Sequence, residues 1–92
     1  MQYDFEWDLA KEAINIEKHG VDFRTAAKAF LDPERKIFMD IKHSQTEDRF
    51  FCVAKVGMKI IKVRFTVRGQ RIRIIGAGYW RKGITYYEQE KI

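Results

Sequence analysis

The spacing of apolar and polar side chains changes period along this chain, from two residues to helical and back to two. Residues 3–7 alternate aromatic with acidic side chains, which predicts a short strand. From Asp8 the pattern becomes helical. Asp8 suits an N-cap and Gly20 the residue just past a helix end, and between them Leu9, Ala13 and Ile16 recur at i, i+4 and i+7 as the stripe expected to be buried. A second helix is expected to start at Asp22, with Phe23, Ala26, Ala27 and Phe30 on one face. It should stop at Leu31-Asp32-Pro33, because proline disfavours helix in the residue before it.

After Lys36 the period returns to two. Ile37, Met39 and Ile41 alternate over a short strand, and a polar loop follows over residues 43–48. Three longer strands are expected at residues 49–56, 59–68 and 71–77. Gly57-Met58 and Gly69-Gln70 join them, each with glycine first, as a two-residue type II′ hairpin loop prefers. The remaining residues, 79–92, are expected to end in a helix from about Ile84, with Trp80 and Tyr87 packing that tail onto the body. The class is therefore α+β: a small, mainly antiparallel sheet, two N-terminal helices packed on one face, and a C-terminal helix, all in a single domain over residues 1–92.

Two-residue loops fix the register by counting outward from each turn. The count places Phe50, Cys52, Ala54, Ile61, Val63, Phe65, Val67, Ile72 and Ile74 on one apolar face for the helices to cover. On the opposite face Arg49, Thr66 and Arg73 form one row across three strands. Phe51, Arg64 and Ile75 form the next row, and Glu47, Arg68 and Arg71 lie on the other side. Like charges placed across a sheet repel, so clustering five arginines costs stability unless an anion meets them. The alternative is a solvated face whose long side chains splay apart.

Composition sharpens this picture. The chain has 92 residues, 46% of them hydrophobic and 14% aromatic, as in a folded domain rather than a disordered segment. The formal charge is +5, and the positive excess lies in the second half, which points to an anionic partner. No apolar run is long enough for a membrane span, and the mixed acidic N-terminus does not resemble a secretory signal, so a cytoplasmic location is expected. The lone Cys52 cannot form an internal disulfide and reads as core filler. His19, His43 and Cys52 do not have metal-ligand spacing, and neither a metal nor a cofactor is expected. Lys18 and His19 read as helix-end residues that favour the helix dipole.

RNA cleavage is the chemistry these residues could serve. It needs a group to take the 2′-hydroxyl proton, cations for charge developing on phosphorus, and a proton source for the departing 5′-oxygen. Arginine suits the second task because its planar fork binds phosphate bidentately. Arg49, Arg64 and Arg73 are the candidates for it, and His43 and Glu47, just ahead of Arg49, for proton transfer. Thr66, Arg68, Arg71, Tyr79 and Arg81 are candidates for contacts to RNA. Glu47 reads equally as an ion-pair partner of Arg68 or Arg71.

Several motifs, taken in order, resemble the BrnT toxin family. They are Phe5-Glu6-Trp7-Asp8, Lys18-His19-Gly20-Val21, Asp32-Pro33, His43-Ser44 through Glu47, Arg49-Phe50, Phe65-Thr66, Arg68-Gly69 and Ile72-Arg73-Ile74-Ile75. The resemblance implies a RelE-like fold and a metal-independent endoribonuclease from a bacterial type II toxin–antitoxin system. It also implies neutralisation by a BrnA-type antitoxin, with operator DNA reached only through that antitoxin. Family members often read Arg-His-Ser where this chain has Lys42-His43-Ser44. They often read Ile-Ser-Ala-Arg where it has Ile75-Gly76-Ala77-Gly78, which leaves either Arg81 as a substitute or a reduced activity. A catalytically inactive module that binds nucleic acid or antitoxin is the alternative reading.

Overall fold

The structure is a computed structural model and describes residues 3–89. Five strands form one mixed sheet in the order β1-β5-β4-β3-β2. They are β1 (Asp4–Trp7), β2 (Lys36–Met39), β3 (Arg49–Val56), β4 (Lys59–Arg68) and β5 (Arg71–Tyr79), and three helices accompany them, α1 (Leu9–His19), α2 (Phe23–Ala27) and α3 (Gly83–Gln89). β2, β3, β4 and β5 pair antiparallel, whereas β1 lies parallel to β5 and pairs with it from Arg71 to Ile74.

Both hairpins have the expected two-residue loops. Gly57 and Gly69 take positive φ values of 63° and 62°, and among the described residues no residue type other than glycine does, so the first loop position alone carries the left-handed twist of a type II′ turn. Register follows the count from Val56↔Lys59 to Arg49↔Thr66, and from Arg68↔Arg71 to Phe65↔Ile74. It then breaks. A bulge sets Gly76, not Ile75, opposite Arg64, and pairing continues to Tyr79. Ile75 is therefore not in the row with Phe51 and Arg64. An inserted residue of this kind has no signature in a hydrophobic pattern that stays apolar through Ile74, Ile75 and Ala77.

The main core lies on the face counted as apolar. Val21, Phe23, Ala26, Ala29 and Phe30 pack in one cluster with Cys52, Ala54, Ile61, Val63, Phe65, Ile72 and Ile74. A fully buried Phe, Ile or Val contributes about 1.5–3 kcal/mol, so this cluster dominates the hydrophobic stabilisation. Val67 shares that face but is exposed, because it lies near the end of β4 where less covers the sheet. The opposite face is not wholly charged. Val53, Ile60 and Tyr87 form a second buried cluster there, with Phe38 and Trp80 packed against it, as expected for a tail held by its aromatic residues.

The outward face of α1 differs from expectation. Asp8 caps the helix through bonds from Ala10 and Lys11, and Gly20 ends it at φ 70°, but Leu9 is 75% exposed and Ala13 and Ile16 are also exposed. Polar anchors set the helix orientation instead. Buried Asn15 bonds to Ala77 and Val21, and Glu12 accepts from Trp7 Nε1 at 3.1 Å and from the backbone of Phe23 at 2.8 Å. Among the described residues no helix is long and apolar enough to cross a membrane.

Candidate active site

One row of the sheet face opposite the main core holds two arginines with acidic partners at its edges. Arg49, Thr66 and Arg73 sit side by side on β3, β4 and β5, as the register count placed them, and Glu6 of β1 is next to Arg73. Glu6 accepts from Arg73 at 3.0 Å and lies 3.7 Å from Arg71, while Glu47 lies 3.6 Å from Arg49 and 3.4 Å from Arg68. Five arginines are thus interleaved with Glu6, Glu47 and Asp40, and these counter-charges are what makes the cluster tolerable. Hydrogen bonding from Arg68, reinforced by the charge of Arg49, holds the Glu47 carboxyl below its ordinary range, so Glu47 stays an anion and a bonding partner to the arginines.

Asp40 is the centre of the site and sequence reasoning passed over it. It is only 6% exposed, and its Oδ2 lies 2.9 Å from His43 Nδ1 and 3.7 Å from Arg64 Nε. The loop that carries these groups is tied down at several points. Asp40 N donates to Arg49 O at 2.7 Å, Ser44 Oγ donates to Asp40 O at 2.7 Å, and Arg49 N donates to Ser44 Oγ at 2.9 Å. A carboxylate on Nδ1 fixes the imidazole orientation and leaves Nε2 as the ring nitrogen available to a substrate. The Nε atoms of Arg49 and Arg64 are buried without a hydrogen-bond partner, as is that of Arg35 away from this row.

Beside this cluster runs a groove of about 460 Å³. Gly76 is paired with Arg64 and Gly78 with Lys62, so β5 lies bare on that face. Lys11, Lys18 and His19 of α1 line the groove from one side and Lys62 and Arg64 from the other. Lys62 Nζ sits 4.1 Å from the centre of the Phe51 ring and 4.8 Å from that of Trp80. Lys11, Lys18, His19 and Lys62 were not singled out as site residues in the sequence, although the i, i+7 spacing of the two α1 lysines was a usable signal.

The expected site residues separate into groups. His43, Glu47, Arg49, Arg64 and Arg73 come together around the row described above. Arg68 and Arg71 are exposed beside it, paired to Glu47 and Glu6. Thr66 is buried at 2% exposure and its hydroxyl donates to the Asp48 carbonyl at 2.6 Å, so it secures the loop and is not placed to touch RNA. Tyr79 lines the groove. Arg81 does not; it lines a second hollow with Met58, Lys59 and Ile84, so it does not take up the place of a side chain at Gly78. Among the described residues no group of three or more His, Cys, Asp or Glu is arranged to hold a metal ion.

An α+β domain that gathers arginines, lysines and an Asp-oriented histidine on one sheet face is equipped to engage a phosphate-bearing partner. A family model described as the ribonuclease toxin, BrnT, of a type II toxin–antitoxin system matches residues 7–83. The chain therefore belongs to the BrnT family of ribonuclease toxins, for which an RNA substrate and an antitoxin partner are implied. No curated protein matches it.

Proposed function

We propose that the chain is an endoribonuclease whose reaction is centred on His43 and the arginine row. The Asp40–His43 bond at 2.9 Å, with Arg64 on the same carboxylate, is the observation that carries this reading. In the proposed reaction His43 Nε2 takes the proton of the RNA 2′-hydroxyl. The 2′-oxygen bonds to phosphorus as the bond from phosphorus to the 5′-oxygen breaks, and the departing oxygen takes a proton from water, which is restored by the proton His43 took up. The products are a 2′,3′-cyclic phosphate and a 5′-hydroxyl end. Arg49, Arg64 and Arg73 bind the phosphate oxygens and offset their growing charge. Glu47 holds Arg49 and Arg68 in place. These fixed guanidinium groups supply the positive charge the reaction needs, so it is proposed to run without a metal ion.

A RelE-like fold, action in the cytoplasm and neutralisation by a BrnA-type antitoxin, through which alone operator DNA is contacted, complete the proposal. The test is inducible bacterial expression of the wild type, His43→Ala, Arg64→Ala and Arg73→Ala, with growth and RNA integrity followed together. The purified proteins are assayed in parallel with and without a chelator. Wild-type RNA loss that survives the chelator and falls roughly 10²-fold or more in His43→Ala supports the reading. RNA left intact by soluble wild-type protein sinks it in favour of an inactive binding module.

A further inference from the structure

We propose that the groove between α1 and the Lys62–Arg64 stretch of β4 binds single-stranded RNA next to the bond that is cut, an inference that rests on the ribonuclease reading above. The first support is the inverted patterning of α1. Its apolar stripe, Leu9, Ala13 and Ile16, faces outward, while Lys11, Asn15 and Lys18, at i, i+4 and i+7, turn toward β5. α1 is fastened to the edge of β5 at Asn15, and Lys11 and Lys18, one turn to either side of that anchor, stand over the groove.

The second support is its lining. Among the described residues around it, every charged or titratable side chain apart from Tyr79 is Lys, Arg or His. Gly76 and Gly78 leave the floor open, and a Cβ added at either would meet its nearest neighbour only at 3.6–3.7 Å, so the bare floor is not forced by crowding. Phe51 and Trp80 hold the Lys62 ammonium between their rings, a combination of cation and aromatic faces that suits a phosphate backbone with an unpaired base. Arg64 belongs to both the groove and the Asp40 cluster, which makes the two continuous. The volume suits an unpaired nucleotide better than a duplex, and a peptide of acidic residues would make little use of a bare glycine floor.

The probe is a short 2′-O-methyl oligonucleotide, which has no 2′-hydroxyl to attack, and its binding to the full chain is followed by fluorescence anisotropy across a salt series. Wild type and Arg24→Ala, an exposed substitution away from the groove, should bind alike. The double substitution Lys11→Ala/Lys18→Ala, at exposed positions where folding is not at risk, should weaken binding about tenfold or more. It should also lower the log–log salt slope by about 1.4, since each phosphate left without its lysine removes about 0.7. Gly78→Phe, which fills the floor, should weaken binding without flattening the slope as far. Lysine variants that bind as tightly as wild type would overturn the proposal. So would displacement of the oligonucleotide by oligoglutamate of equal charge at equal concentration. A His43→Ala protein that still cleaves RNA would remove the histidine from the chemistry and leave the groove standing.

Discussion

Asn15 and Ala77 exchange two hydrogen bonds between elements 62 residues apart in the chain. The Ala77 N–H donates to Asn15 Oδ1 at 3.1 Å, and Asn15 Nδ2 donates to the Ala77 carbonyl at 2.9 Å. β1 accompanies β5 only as far as Ile74, so among the described residues the edge of β5 beyond that point has no strand to pair with. A primary amide offers the same donor and acceptor as a peptide group, and Asn15 serves as a strand one residue long. Its Nδ2 also donates to the Val21 carbonyl at 3.0 Å, which ties the link between α1 and α2 to the same point.

Asn15→Leu should therefore cost far more than its change in volume suggests. It leaves the Ala77 N–H and two carbonyls buried without partners. At about 1–3 kcal/mol per unsatisfied group, a loss of roughly 3 kcal/mol is expected, or a fall of about 12–24 °C in the melting temperature of a domain this size. Urea and thermal unfolding measure it. A change below about 1 kcal/mol would mean that α1 is held by its apolar contacts after all.

The same residue marks where the sequence was legible. Strand pairing could be counted because Gly57 and Gly69 fixed both loops at two residues, and the arginine row on β3, β4 and β5 followed from that register alone. Its counter-charges did not, because Glu6 reaches Arg73 across a parallel pairing of β1 with β5, and no hairpin count reports such a pairing. Asp40 was hidden for a different reason. It follows an alternating strand and reads as a loop residue, and only the fold of residues 40–49 turns it inward under His43 and Arg64. The α1 stripe misled because periodicity identifies an amphipathic helix but not which face is held, and here one buried asparagine outweighs three apolar side chains.

Glu6→Gln tests the acidic partner of the arginine row. Arg73 would lose its carboxylate partner on this row and Arg71 would lose its only ion pair among the described residues. The stability cost should stay below about 1 kcal/mol, as for other solvent-accessible pairs. Affinity for single-stranded RNA should rise, with a steeper salt dependence, because two arginines are freed for phosphate. Weaker RNA binding would instead show that Glu6 orients Arg73 toward the strand.

Tyr87 fixes the C-terminal helix. Its hydroxyl donates to Asp32 Oδ2 at 2.6 Å, and the same oxygen accepts from the Lys55 amide at 2.8 Å. Burial, and then the bonded carboxylate, push the phenol above its ordinary range. Tyr87→Phe keeps the ring in its cluster with Val53 and Ile60 but removes a bond to a charged acceptor, for an expected cost of about 1.5–3 kcal/mol. Faster hydrogen exchange confined to α3 is the local readout, since the main core does not depend on this helix. Exchange that speeds up equally in β4 and β5 would contradict that separation.

Stability should decline on both sides of neutrality, for separate and identifiable reasons. On the acid side the carboxyls of Asp8, Asp22 and Glu47 are held below their ordinary values, by helix-capping bonds in the first two and by Arg68 and Arg49 in the third. Their contribution is present above the unfolded-state values of 3.8 and 4.5 and is lost as pH falls through the lower folded-state ones. On the alkaline side burial pushes the Cys52 thiol up from 9.0 to about 12. The unfolded chain then releases that proton first, so the contribution is complete below pH 9.0, and it is lost as pH rises toward about 12. Cys52→Ala should lower stability at neutral pH, because it opens a small cavity in the core, yet flatten the decline above pH 9.0. In the native protein at about pH 8 the thiol should not react with a disulfide reagent, and it should react fully once guanidinium unfolds the chain. Rapid native-state labelling would show that the sheet opens at Cys52 without global unfolding.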